Sequence, residues 1–97
     1  MSHYIALVNY TDKGIANIKD SPARLDKARA LLREMGGEFR QVFLTIGGHD
    51  MVVVYEAPDD ATAARFSLRL GMSGYVRTTT LKAFSRDQFE QIVRTLG

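Results

Sequence analysis

The chain has 97 residues, enough for one domain and no second, and its 45% hydrophobic and 25% charged residues are those of an ordinary globular protein. It carries no cysteine, which excludes a disulfide framework, thiolate catalysis and thiolate metal sites. Net charge is only +2, from 13 Lys and Arg against 11 Asp and Glu, and the signs alternate, as in Arg24-Leu25-Asp26-Lys27. No block of basic residues marks a nucleic-acid surface, so no nucleic-acid partner is expected. No apolar run approaches the ~20 residues that span a bilayer. The first residues also lack a basic-then-apolar leader. A cytoplasmic protein with no membrane partner is the expectation.

Residues 3–11 alternate as a strand, with Tyr4, Ala6, Val8 and Tyr10 on one face and Ile5, Leu7 and Asn9 on the other. Both faces carry apolar residues, so the strand belongs at the centre of its sheet. Residues 11–20 read as a short helical turn or ordered loop, with Gly14 as a breaker and Ile15 and Ile18 at helical spacing. Ser21-Pro22 then starts a helix, Ser capping free N–H groups and Pro fitting the first helical position. Leu25, Ala28, Leu32 and Met35 form its apolar stripe, and Gly36-Gly37 ends it.

Residues 39–46 and 50–56 are the second and third strands, joined through Gly47-Gly48 as a tight hairpin whose turn needs positive φ. Two phases are open. A two-residue loop pairs Ile46 with His49 and puts Leu44 and Met51 on one face; a bulged loop pairs Ile46 with Asp50 and flips the third strand. Pro58 opens the next helix, with Asp59-Asp60 at the positive end of its dipole. Its rows Ala61-Ala64-Leu68 and Ala63-Phe66-Leu70 make a wide apolar stripe before Gly71 and Gly74 break the pattern. Residues 75–84 are the fourth strand. Ser85 and Gln88 form a capping box for a last amphipathic helix bearing Phe89, Ile92, Val93 and Leu96.

The order βαββαβα over residues 1–97 predicts an α+β, ferredoxin-like sandwich: both repeat helices on one sheet face, and the first and third strands central, adjacent and parallel. The other face is open. Yet the first strand and Met51-Val52-Val53-Val54-Tyr55 are apolar on both sides, so both sides need cover. A second copy of the chain is the simplest cover, giving a homodimer of the dimeric α/β barrel class; the C-terminal helix is the alternative.

Several ordered segments carry a family resemblance: Val8-Asn9-Tyr10-Thr11, Gly14-Ile15, Ile18-Lys19-Asp20-Ser21-Pro22, Gly36-Gly37, Leu44-Thr45-Ile46-Gly47, Glu56-Ala57-Pro58-Asp59-Asp60 and Val76-Arg77-Thr78-Thr79-Thr80-Leu81. Across about Tyr4 to Phe89 the chain resembles the GYD domain family, small proteins of the dimeric α/β barrel class with no settled activity. The resemblance implies the ferredoxin-like fold and pairing. The family's Gly-Tyr-Asp triplet reads Gly48-His49-Asp50 here, so no role of that tyrosine carries over.

Two candidate sites follow from the expected topology. His49 and Asp50 open the third strand, and a parallel first strand would bring His3 and Tyr4 to the same rim, a set suited to acid–base work. The bland alternative is an exposed hairpin. Two histidines and an aspartate on different strands lack metal-ligand spacing, so no metal is expected. At the other end, Asn9, Tyr10, Tyr55, Tyr75, Arg77 and Lys19 would wall a pocket for a small acidic molecule. Gly47-Gly48 is no phosphate loop, because no helix start or Lys-Ser/Thr follows. No cofactor is implied. The expected function is a homo-oligomeric protein that binds a small organic ligand. The alternative is a cofactor-independent isomerase, lyase or monooxygenase using His49, Asp50 or Tyr10.

Overall fold

The computed structural model describes residues 1–97. Strand β1 (Ser2–Tyr10) leads through a short helix α1 (Asp12–Ala16) and a 3-10 turn (Ile18–Asp20) into α2 (Ser21–Glu34). Strands β2 (Glu38–Leu44) and β3 (Met51–Ala57) form the hairpin; α3 (Asp60–Met72), β4 (Val76–Ala83) and α4 (Arg86–Arg94) complete the chain. The four strands lie in the order β2-β3-β1-β4, the layout of a ferredoxin-like α+β fold.

Every neighbouring pair in the sheet is antiparallel. The expectation that the first and third strands run parallel is therefore overturned. The crossover through α2 makes β1 and β2 parallel, and the hairpin reverses β3 before it inserts between them. The consequence for function is direct. The end of β1 meets the start of β3, so Val8 pairs with Met51 and Tyr4 with Tyr55. The rim residues expected together are thus divided between opposite ends of the sheet.

The hairpin adopts the phase in which Leu44 and Met51 are partners and share a face. The turn is wider than two residues: Thr45 N–H donates to the Asp50 carbonyl at 2.9 Å, and the chain loops out beyond them. Only Gly47 of the two glycines is at positive φ, +135°.

Helix boundaries also differ from expectation. Ser21 does not cap α2, which grows straight out of the 3-10 turn; its hydroxyl bonds the Tyr10 hydroxyl at 2.8 Å instead. In α3 the cap is Asp59, whose carboxylate accepts from Thr62 N–H at 2.8 Å, and the helix runs through Gly71. Ala63 and Phe66 are buried, while Ala61, Ala64 and Leu68 face solvent, so only one of the two expected rows reaches the core. Gly14 is a helical residue of α1. A Cβ there would stand 2.0 Å from the Tyr75 carbonyl oxygen, so the absent side chain lets α1 lie against the loop before β4.

Strand parity sorts the sheet into two faces. Tyr4, Ala6, Val8, Val53, Tyr55 and Ala57 point toward α2 and α3 and are buried. With Leu32, Phe39, Ala63 and Phe66 they make the core. Four rings cluster at the Tyr4 end: Tyr4 stacks on Tyr55 at 5.3 Å, and Phe66 meets Tyr55 at 5.4 Å and Phe39 at 6.0 Å between centroids. The opposite face presents Ile5, Leu7, Val52 and Val54, all half-buried, with Phe43 at 52% and Leu81 at 45% exposure. Helix α4 is held by its capping box, yet Phe89 stays 57% exposed and Val93 47%. The radius of gyration is 14.6 Å, above the ~13 Å of a compact chain of about this length, as expected if α4 stands away from the body. No helix is long and apolar enough to cross a membrane.

Ion pairs fasten the Tyr4 end. Asp60 accepts from Lys82 Nζ at 2.6 Å and from the Tyr4 hydroxyl at 2.5 Å, and these bonds, Lys82's foremost, hold its carboxyl below the usual range. Glu56 is lowered by its hydrogen bond from Arg40, and Asp59 by its bonds from Thr62. A carboxylate with a depressed folded pKa stabilises the fold above its unfolded pKa, and that contribution is lost as pH falls through the folded value. Melting temperature should accordingly hold steady above about pH 5 and fall below about pH 4. Asp60→Asn should flatten the acid limb of a calorimetric pH series; an unchanged limb would show that this cluster does not couple to folding.

Candidate functional site

The aromatic cluster fills the space between helices and sheet at one end only. Toward the other end the sheet carries Ala6, Val8, Val53 and Met51, and α2 carries Ala28 and Leu25, side chains too short to bridge the gap set by the rings. A groove of about 690 Å³ is left between α2, α3 and the sheet. That volume lies in the ~300–1,000 Å³ range of small-molecule sites.

The floor and walls are largely apolar. Val8, Val53 and Met51 form the floor, Leu25, Ala28 and Leu31 one wall, Phe66 and Leu70 the other. Polar groups concentrate at the mouth: Tyr10, Ser21, Arg24, Tyr75 and Ser73, with Lys27 and Arg69 along the helices and Asp20 as the one acid. Arg24 lies over the Tyr75 ring, its guanidinium carbon 4.2 Å from the centroid, and Lys13 Nζ approaches the same ring at 4.3 Å. Arg24 Nη1 donates to the Asn17 carbonyl at 3.1 Å, whereas its Nη2 is buried with no hydrogen-bond partner.

The residues expected to act separate into groove and scaffold. Tyr10 and Tyr75 line the groove. Tyr55 does not: it is fully buried in the ring cluster, and burial raises its pKa against the opposing effect of the Ser67 and Thr80 hydroxyls. Asn9, on the opposite face by parity, ties the hairpin to β1, its Oδ1 accepting from His49 Nδ1 at 2.8 Å and its Nδ2 donating to the Gly48 carbonyl at 3.0 Å. Asp50 accepts from Tyr10 N–H at 2.9 Å and its own N–H donates to the Val8 carbonyl at 2.9 Å. Lys19 is exposed on the 3-10 turn, and the guanidinium of Arg77 lies against Gly71 rather than over the groove.

His3 sits at the far end with Glu56, at 3.8 Å, and so does not join His49 and Asp50. No three acidic or imidazole side chains come together as metal ligands anywhere in the chain. Arg24, Lys27 and Arg69 were not among the expected site residues; the alternating signs of Arg24-Leu25-Asp26-Lys27 bore only on a nucleic-acid surface. A signal for α2 was present: Ser21, Arg24, Leu25, Ala28 and Leu31 recur at three- and four-residue steps, one continuous helix face.

Fold and groove together define a ferredoxin-like α+β protein with a ligand-sized opening under its helices. The chain belongs to the GYD domain family, whose match covers residues 4–93. It is also similar to the glutamine synthetase and cystathionine beta-lyase binding protein of Thermus thermophilus, 36% identical over 84 residues, which are 86% of this chain and 88% of that one. No solved structure matches the chain.

The Asp50 and His49 contacts are those of a clasp holding the hairpin on the end of β1. Asp50→Ala removes the acceptor for Tyr10 N–H and should cost about 1.5–3 kcal/mol of stability, the scale of one hydrogen bond to a charged acceptor. Faster amide exchange at Tyr10 in hydrogen-exchange NMR would locate the loss; unchanged exchange would show the clasp to be idle.

Proposed function

We propose that this protein is a homo-oligomeric binding protein that holds a small organic molecule in the groove between α2, α3 and the sheet. The observation that carries this reading is the groove itself: about 690 Å³, apolar inside and polar at one mouth. Oligomerisation is supported by the outer sheet face, where Ile5, Leu7, Val52 and Val54 form an apolar strip that α4 leaves open. Two copies closing these faces on each other satisfy both apolar surfaces by a two-fold contact. Native mass spectrometry should therefore give a dimer, or a multiple of it, carrying bound small-molecule mass. Val52→Asp, which buries a charge in that contact, should shift the species to monomer; a wild-type protein that is already a bare monomer overturns the reading.

The enzymatic alternative has less support. Tyr10 is the one acid–base candidate that lines the groove, and its hydroxyl is engaged with Ser21; His49 and Asp50 do not line it.

A second reading is favoured by α4. Phe89, Ile92 and Val93 are exposed along one side of an amphipathic helix, a surface fitted to a protein groove. The Thermus relative is named for binding two enzymes, glutamine synthetase and cystathionine beta-lyase. On this reading the present chain docks on metabolic enzymes of its own cell through α4. Immobilised protein should then retain the glutamine synthetase of the source organism, and Phe89→Asp should weaken retention at least about tenfold. Equal retention by the variant would exclude α4 as the contact.

A further inference from the structure

We infer that the molecule held in the groove is an organic carboxylate with an apolar body, its anionic head bound by Arg24 at the mouth. The inference rests on the groove being the ligand site proposed above, and adds the chemistry of the occupant. Three observations lead to it. First, the charge along the groove is unbalanced: Arg24, Lys27 and Arg69 line it against Asp20 alone, and none of the three joins any ion pair of the chain.

Second, Arg24 is pre-positioned. Its guanidinium is held over the Tyr75 ring at 4.2 Å and tethered through Nη1 to the Asn17 carbonyl at 3.1 Å, so little side-chain entropy remains to be lost on binding. Third, Arg24 Nη2 is buried and unpartnered. A buried donor on a cation without an acceptor is costly; Nη2 is closed to water where it stands, and a carboxylate oxygen in the groove removes that cost with a charge-assisted hydrogen bond as the guanidinium tips to meet it. The Tyr10 and Ser21 hydroxyls, bonded to each other at 2.8 Å, stand at the same mouth and offer further polar contact. Beyond the mouth, Val8, Leu25, Ala28 and Leu70 accept only an apolar tail.

The test compares decanoate with decanol, equal in chain length and differing in the head, by calorimetric titration and amide shift mapping on the protein in its native oligomeric state. Decanoate should bind at least about tenfold more tightly, with shifts at Arg24 and Tyr75. Arg24→Gln should abolish that preference, Arg24→Lys should keep part of it, and the charge-matched control Arg65→Gln should keep all of it. Ala28→Phe, which fills the groove, should remove binding of both. Equal binding of the two probes, or a preference that survives Arg24→Gln, overturns the carboxylate assignment and leaves the groove reading standing. Binding of neither probe overturns the groove reading together with this inference. If Arg24→Gln does not fold, retention of the full preference in Arg24→Lys with shifts away from the mouth overturns the assignment.

Discussion

Four aromatic rings at one end of the sheet set the spacing on which the rest of the molecule depends. Tyr4, Tyr55, Phe66 and Phe39 meet with centroids 5.3 to 6.5 Å apart, and they come from β1, β3, α3 and β2. Rings of this size fix how far α3 stands above the sheet, since offset and edge-on contacts lose their advantage outside roughly 4.5–7 Å. Leu32, fully buried, brings α2 down on the same cluster. At the other end the one ring β1 carries, Tyr10, stands at the mouth bonded to Ser21, and the side chains between, Ala6, Val8 and Ala28, cannot reach across the same gap. Large side chains at the ring end and small ones between it and the mouth are what open the groove.

The two ends of the sheet are consequently held by different forces. At the ring end, packing is reinforced by Asp60 with Lys82 and Tyr4, and by Glu56 with Arg40. At the groove end, the chain relies on polar clasps: Asp50 on Tyr10 N–H, Thr11 Oγ1 on the Gly74 carbonyl at 2.6 Å, and Tyr10 with Ser21. These bonds brace the mouth without filling it. Cations stacked on Tyr75 complete that rim, so the opening is positive in its lining.

The apolar surfaces left over fall in two places, the outer sheet face and α4. Their residues have different geometry, a flat strip of β-branched and aliphatic side chains in one case and a ridge at helical spacing in the other. Flat faces pair readily with copies of themselves, whereas a helix ridge suits a groove on another protein. Oligomerisation and partner docking can therefore coexist on a chain this small without competing for the helix-side groove.

Much of this was legible in the residues. Alternation in β1, the Gly47 turn, the Ser85–Gln88 capping box and the βαββαβα order depend on neighbours a few positions apart, and these local patterns sufficed for the elements and the fold class. The apolar character of both faces of β1 and β3 was likewise visible. What sequence could not decide was which side chains meet across the sheet, because that depends on strand direction and register between distant segments. A direction error for β3 placed Tyr55 beside Tyr10 and His3 beside His49, when antiparallel pairing puts Tyr55 under Tyr4 and His49 beside Asn9. Nor could spacing reveal that Arg24 leans inward over Tyr75 with one nitrogen unpaired, since the ring that holds it lies far along the chain. Local chemistry determined the elements and the family; only long-range packing, through the size of the rings that hold the helices off the sheet, decided where the groove opens.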